Sequence, residues 1–159
     1  MSETEFHLRE MAAGEEAVLL HLFTATIHQV NRRDYTPEQL VAWAPLKRDL
    51  SSWVERMQAV KPFVVENEVG EIVGFADLQS DGLVDFMFVA HDWQGHGIAR
   101  LLMTEIEKRA DKAQLPMLYA HVSKTARPFF ERNGFVVEQE QSAATRGVEL
   151  TNYLMRRTF

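Results

Sequence analysis

FVAHDWQGHGIARLLM, residues 88–103, is the stretch whose reading decides the fold. An apolar, strand-like run leads into a loop with Gly95 and Gly97 one residue apart and Gln94 just ahead of them. Ile98, Leu102, Ile106, Ala110 and Ala113 then recur every three or four residues, which predicts an amphipathic helix of about four turns. Where a strand feeds a helix through glycines, several main-chain N–H groups and the positive end of the helix dipole converge on one point. Phosphate is stabilised there, and glycine has no Cβ to hold it off the backbone. Arg100 stands where a dinucleotide loop needs its third glycine, and Gly97-Ile98-Ala99 cannot supply the Gly-Lys-Ser/Thr of a P-loop, so neither nucleotide motif is present. Glycines that only serve the turn would account for the same residues.

The flanking patterns extend the picture. Upstream, FVVENE and EIVGFADLQ flank Val69-Gly70 as a hairpin, and Ser80-Asp81-Gly82 turns the chain into a third strand, LVDFMFVA, residues 83–90. Phe6 and Leu8 alternate with polar neighbours as a short first strand. Leu19, Phe23, Ile27 and Val30 recur at helical spacing, with His21, Thr24, His28 and Asn31 as a polar stripe. Thr36, Pro37 and Gln39 form a capping-box start for a second helix; Ser52 and Glu55 repeat that signature for a third, ending near Ala59. Downstream, MLYAHVS reads as a strand, and Ser123 opens a helix closed by Asn133-Gly134, with Pro128 distorting its first turn. Two strands follow, Phe135 to about Gln141 and Val148 to Arg157. No repeat or linker interrupts residues 1–159, so one domain of mixed α/β (α+β) class is expected.

Composition narrows the function. A formal net charge of −6 offers no positive field for nucleic acid. The acidic balance suits a cationic amine slightly, although it equally suits plain solubility. With 0 cysteines there is no disulfide, thiolate nucleophile or Cys-containing zinc site, and no His-Glu-x-x-His or comparable cluster marks a metal. The polar start MSETEFHLRE is unlike a secretory signal, and no apolar run approaches the roughly 18–20 residues of a membrane span. A cytoplasmic protein with neither nucleic-acid nor membrane partner is expected.

Two motifs now carry a resemblance. Gln94-x-x-Gly97-x-Ala99 is similar to the Gln/Arg-x-x-Gly-x-Gly/Ala signature of the GNAT superfamily, the acetyl-CoA-dependent N-acyltransferases. Ser123-x-x-Ala126-x-x-Phe129-Phe130-x-x-x-Gly134-Phe135 resembles the family's later Asn/Ser-x-x-Ala-x-x-Phe-Tyr-x-x-x-Gly-Phe pattern. The order of elements matches that fold from Glu5 to about Arg157. The resemblance implies a mostly antiparallel sheet of about seven strands with helices on both faces, splayed between the fourth and fifth. It implies acetyl-CoA as co-substrate, its pyrophosphate held by the amides of Gln94, Gly95, His96, Gly97, Ile98 and Ala99 with Arg100 close by. Phe88 and Val89 would offer unpaired main-chain groups to the pantetheine, Ser123 would contact it from the opposite wall, and Ala126, Phe129 and Phe130 would pack along the thiol end.

Attack by an amine on a thioester needs a base for the ammonium proton and benefits from an acid for the leaving thiolate. Phe130 stands where relatives commonly carry the tyrosine that supplies that acid, so Tyr35 and Tyr153 become candidates. Asp85, a carboxylate inside an apolar strand, is the first candidate base, because burial there would raise its pKa. His121 is its rival. In the family the first two helices roof the acceptor site, which singles out His28, Asn31, Tyr35 and Trp43. The reading is an N-acetyltransferase for a primary amine of a small molecule or peptide, acting by direct attack in a ternary complex; the alternative is a non-catalytic acyl-CoA sensor. A homodimer through the C-terminal strands suits either.

Overall fold

The structure is a computed structural model and describes residues 5–159. Its strands are β1 (His7–Glu10), β2 (Phe63–Glu66), β3 (Ile72–Ala76), β4 (Met87–Val89), β5 (Met117–Ser123), β6 (Val136–Thr145) and β7 (Val148–Thr158). Its helices are α1 (Glu16–Val30), α2 (Pro37–Trp43), α3 (Leu50–Val60), α4 (Ile98–Lys112) and α5 (Arg127–Arg132). Two antiparallel sheets form, ordered β1-β2-β3-β4 and β5-β7-β6. Alternation along β2 divides the core: Val64, with Phe75, packs under α1 and α3 against Leu19, Phe23, Ile27 and Trp53, whereas Phe63 and Val65 pack with Ile98, Leu102 and Ile106 of α4. Gly74 sets how closely α4 approaches the sheet, because a Cβ there would lie 2.8 Å from the Ile98 side chain and 3.2 Å from the Phe88 carbonyl oxygen.

Three local expectations are corrected. Helix α3 starts at Leu50, capped by the Asp49 carboxylate accepting the Ser51 N–H at 3.1 Å, and Ser52 lies inside it. Helix α5 starts at Arg127, so Pro128 sits in a first turn where its missing N–H costs nothing. The strand expected over residues 83–90 is β4 alone, three residues long. Upstream of β4 the chain pairs instead with β5, through a parallel bridge from Leu83 to Tyr119 and the Val84 N–H donating to the Tyr119 carbonyl at 2.9 Å. By Phe86 it has changed partner to β3, accepting from the Asp77 N–H at 3.2 Å. The two sheets part at this change of partner.

Asp77 makes the change possible. Its fully buried Oδ1 accepts the N–H groups of both Asp85 (3.0 Å) and Phe86 (2.6 Å), and Gln79 donates to Oδ2 at 2.6 Å. Burial pushes this carboxyl up from 3.8 to about 6, with the Asp85 charge adding to the rise and the hydrogen bonds from Gln79, Phe86 and Asp85 opposing it. The folded chain therefore holds this proton more tightly than the unfolded chain. The stabilisation is complete at low pH and is lost as pH rises from about 4 through about 6, on the order of 3 kcal/mol in all. Asp77→Asn keeps an oxygen for the two amides and cannot titrate, so unfolding stability measured across that window should fall less steeply than in wild type; parallel curves would refute the assignment.

Candidate active site

Where β4 and β5 diverge, a cavity of about 570 Å³ opens, lined from both strands, α1, the glycine loop and α5. The register decides which main-chain groups face it. Ala90 donates to Val73, and Asp77 to Phe86, so Phe88 is in a hydrogen-bonded pair with Phe75, and both its backbone groups point into the sheet. Its ring packs against Phe23, 4.9 Å between centroids. The expectation that Phe88 offers unpaired groups is corrected: Met87 and Val89 face the gap. The Val89 carbonyl is taken by the Thr26 hydroxyl (3.0 Å) and the Gln94 side-chain amide (2.9 Å). The Met87 N–H and C=O and the Val89 N–H are left. On β5, the Phe159 N–H donating to Pro116 places even-numbered residues in pairs with β7, so His121 and Ser123 turn their backbone groups toward the gap.

At one end of the cavity lies the glycine loop. Gly95 (φ 77°) and Gly97 (φ 79°) occupy the left-handed region that side chains disfavour, and Gly97 immediately precedes α4 without any side-chain cap. Among the described residues, no protein acceptor in hydrogen-bonding geometry meets the amides of residues 94–100. The Gln94 side chain does not reach out; it braces the loop on Val89 and Ala90. His96 Nδ1 contacts the Trp93 and Gln94 carbonyls at 3.2 and 3.0 Å, and Arg100 donates to the Asn133 side chain on the α5 side. Unpaired amides, a positive helix end and one guanidinium are the donor set a diphosphate requires, so the residues fit coenzyme A.

The opposite wall is α5 and its approach. The Ser123 hydroxyl accepts the Ala126 N–H at 3.1 Å and the Asn31 side-chain amide at 3.4 Å, tying β5 to α1 and leaving its own proton to donate. Ala126, Phe129 and Phe130 line the cavity, with Phe130 edge-on to Phe129 and Phe135 at 5.9 and 5.0 Å.

Two titratable candidates line the same cavity, Asp85 from the β4 side and His121 from β5. Asp85 is not enclosed by apolar neighbours as expected: its side chain is 25% exposed and its Oδ2 pairs with Arg56. The buried carboxylate of this region is Asp77. His121 Nδ1 lies 3.0 Å from Gln141 Nε2, which also donates to Asn152 Oδ1 at 2.9 Å, so in this arrangement Nδ1 accepts and the neutral ring carries its proton on Nε2. Tyr153 is not brought to the cavity; its ring lies 4.6 Å beneath the Arg127 guanidinium. Tyr35 is buried and committed, donating to the Thr151 carbonyl at 2.6 Å and accepting from the Lys124 N–H at 3.0 Å, and burial pushes its phenol above the ordinary range. Of the roof residues, Asn31 and Trp43 reach the cavity, whereas His28 ties α1 to the Ala44 carbonyl at 2.7 Å. Thr26, Arg33 and Met87 also line it and were not foreseen. Among the described residues there is no group of three or more potential metal ligands, and no helix is long and apolar enough to cross a membrane.

A cleft between two diverging sheets, with unpaired loop amides at one end and the titratable side chains of Asp85 and His121 on its two walls, has the make-up of an acyl-CoA-type transferase site. Residues 31–157 match the family model described as "Acetyltransferase (GNAT) domain", and the chain belongs to that family of acetyl-CoA-dependent acyltransferases. It is similar to the "Uncharacterized N-acetyltransferase YafP" of Escherichia coli K12, with 29% identity over 149 residues, 94% of this chain and 93% of the relative. Its fold matches the crystal structure of a GCN5-related N-acetyltransferase from Rhodopseudomonas palustris with a TM-score of 0.92 at 28% identity, covering 100% of this chain and 99% of the other. The PaiA N-acetyltransferase of Thermoplasma acidophilum, solved in complex with coenzyme A, shares the fold with a TM-score of 0.75 at 16% identity, covering 98% and 99%.

Proposed function

We propose that this chain, as one domain, moves an acetyl group from acetyl-CoA to a primary amine of a small molecule or peptide by direct attack in a ternary complex. The observation that carries this is the run of unpaired amides from Gln94 to Arg100 at the head of a cleft holding Asp85 and His121. Those amides and Arg100 hold the diphosphate, and the outward groups of Met87 and Val89 pair with the pantetheine and receive the thioester oxygen. The bound thioester supplies an electrophilic carbonyl and a thiolate leaving group. Asp85, its Oδ2 held by Arg56, accepts the ammonium proton on Oδ1. As the C–N bond forms and the C–S bond breaks, the coenzyme leaves as the thiolate, hydrogen-bonded by the His121 Nε2–H, and takes its proton from water, a proton Phe130 cannot supply. Asn31 and Trp43 border the acceptor.

A cytoplasmic location belongs to this reading, since acetyl-CoA is supplied there. A homodimer is supported by β6 being the outer strand of its sheet, with one edge unpaired. The test is release of free thiol from acetyl-CoA across a panel of primary amines. We expect release that depends on the amine; tight coenzyme A binding with no release from any amine would support the sensor instead.

A further inference from the structure

Three strands of the second sheet meet behind His121. On β5 the core face is made by Leu118, Ala120 and Val122, all buried, so His121 and Ser123 share the opposite face. Asn152 of β7 pairs with Ser123 on one side and with Gln141 of β6 on the other, and directly opposed residues project to the same face. The side chains of His121, Asn152 and Gln141 therefore come together. Gln141 Nε2 lies 3.0 Å from His121 Nδ1 and 2.9 Å from Asn152 Oδ1, so both of its hydrogens are used. Because Asn152 Oδ1 only accepts, it turns the nitrogen end of the Gln141 amide, rather than the oxygen, toward the ring. Tyr119 lies edge-on to the same ring, 6.5 Å between centroids.

A β-bulge decides which residue of β6 fills this position. Val137 pairs with Met155, but Gln139 rather than Glu138 pairs with Leu154, so Glu138 is an extra residue. In an unbulged register Glu140 would stand opposite Asn152 in place of Gln141. The difference is chemical. A carboxylate only accepts, so beside Nδ1 it would draw the proton of a neutral ring onto Nδ1 and leave Nε2 bare. The Gln141 amide donates instead, which keeps that proton on Nε2. Among the described residues Nε2 has no partner of its own, and His121 lines the cavity.

Resting on the acetyl-transfer reading, we propose that Gln141, oriented by Asn152, is a positioning residue that holds His121 as an Nε2–H donor for the leaving thiolate. The bulge at Glu138 places an amide, and not a carboxylate, behind the ring.

Gln141→Glu reproduces the chemistry of the unbulged register at unchanged side-chain length. Nitrogen-15 NMR reads the tautomer directly at a pH where the ring is neutral, and His121→Ala identifies its signals. We expect the wild-type proton on Nε2 and the Gln141→Glu proton on Nδ1. At the same pH, kcat for thiol release should fall by about ten-fold or more in Gln141→Glu, with the KM for acetyl-CoA within a few-fold of wild type. Asn152→Leu, which lets the amide turn its oxygen to the ring, should bring up the Nδ1–H form and serves if Gln141→Glu fails to fold. Asn152→Asp keeps the acceptor and should retain the wild-type tautomer. A tautomer unmoved in both Gln141→Glu and Asn152→Leu, or moved with kcat unchanged, overturns the positioning role and leaves acetyl transfer standing. Ring signals that shift as expected in a protein releasing thiol with no amine would instead overturn acetyl transfer and leave the control of the tautomer standing.

Discussion

Gly97→Val should raise the KM for acetyl-CoA by about 100-fold or more while kcat at saturation changes little. The physical reason is conformational. Gly97 sits at φ 79°, immediately before α4, and a Cβ there meets nothing within 4 Å, so the protein itself has room for the side chain. What valine cannot do is hold that φ, which costs an L-residue about 1–2 kcal/mol and a β-branched one more. The loop relaxes by rotating the peptides on either side, and the amides that converge on the anion turn away. Hydrogen bonds to charged groups contribute roughly 1.5–3 kcal/mol each, so losing two accounts for the expected factor. Gly70→Val is the control, since Gly70 has a similar φ of 82° in the β2–β3 hairpin and also meets nothing within 4 Å. It should share the loss of stability and leave the KM for acetyl-CoA alone. A Gly97→Val enzyme with unaltered KM would mean the loop is only a turn.

Asp85→Asn should lower kcat by about 100-fold near neutral pH, the range expected for removing a general base, with the KM for acetyl-CoA within a few-fold of wild type. The asparagine keeps the size of the group and a contact for Arg56 but cannot accept a proton. The deficit should shrink as pH approaches the pKa of the free amine, because more acceptor then arrives already neutral. That pH dependence separates a lost base from a disturbed Arg56. Unaltered turnover would remove Asp85 and leave His121 as the base.

How far the sequence carried depends on whether each feature is local. The glycine loop was legible because a strand, two glycines and a helical period lie within sixteen consecutive residues and need no distant partner. The Thr36/Gln39 capping box was legible for the same reason, and both of its reciprocal hydrogen bonds form, at 2.9 and 3.2 Å. Asp85 and Asp77 show the limit. Each follows apolar residues in a strand-like run, but burial is decided by the side-chain-to-backbone bonds of Asp77 across the β3–β4 connection, which no local pattern announces. The same change of partner sets the parity of β4, so Met87 rather than Phe88 turns its backbone to the cleft. His28 and Tyr35 looked like pocket residues because they are polar on a roofing segment, yet their polar atoms are spent holding the roof to Ala44, Thr151 and Lys124.

The most direct test of the account is a crystal structure with coenzyme A. It should show diphosphate oxygens about 2.7–3.2 Å from main-chain nitrogens of the Gln94–Arg100 loop, with the pantetheine lying along Met87 and Val89. Coenzyme A bound elsewhere, with those nitrogens turned to solvent, would contradict it.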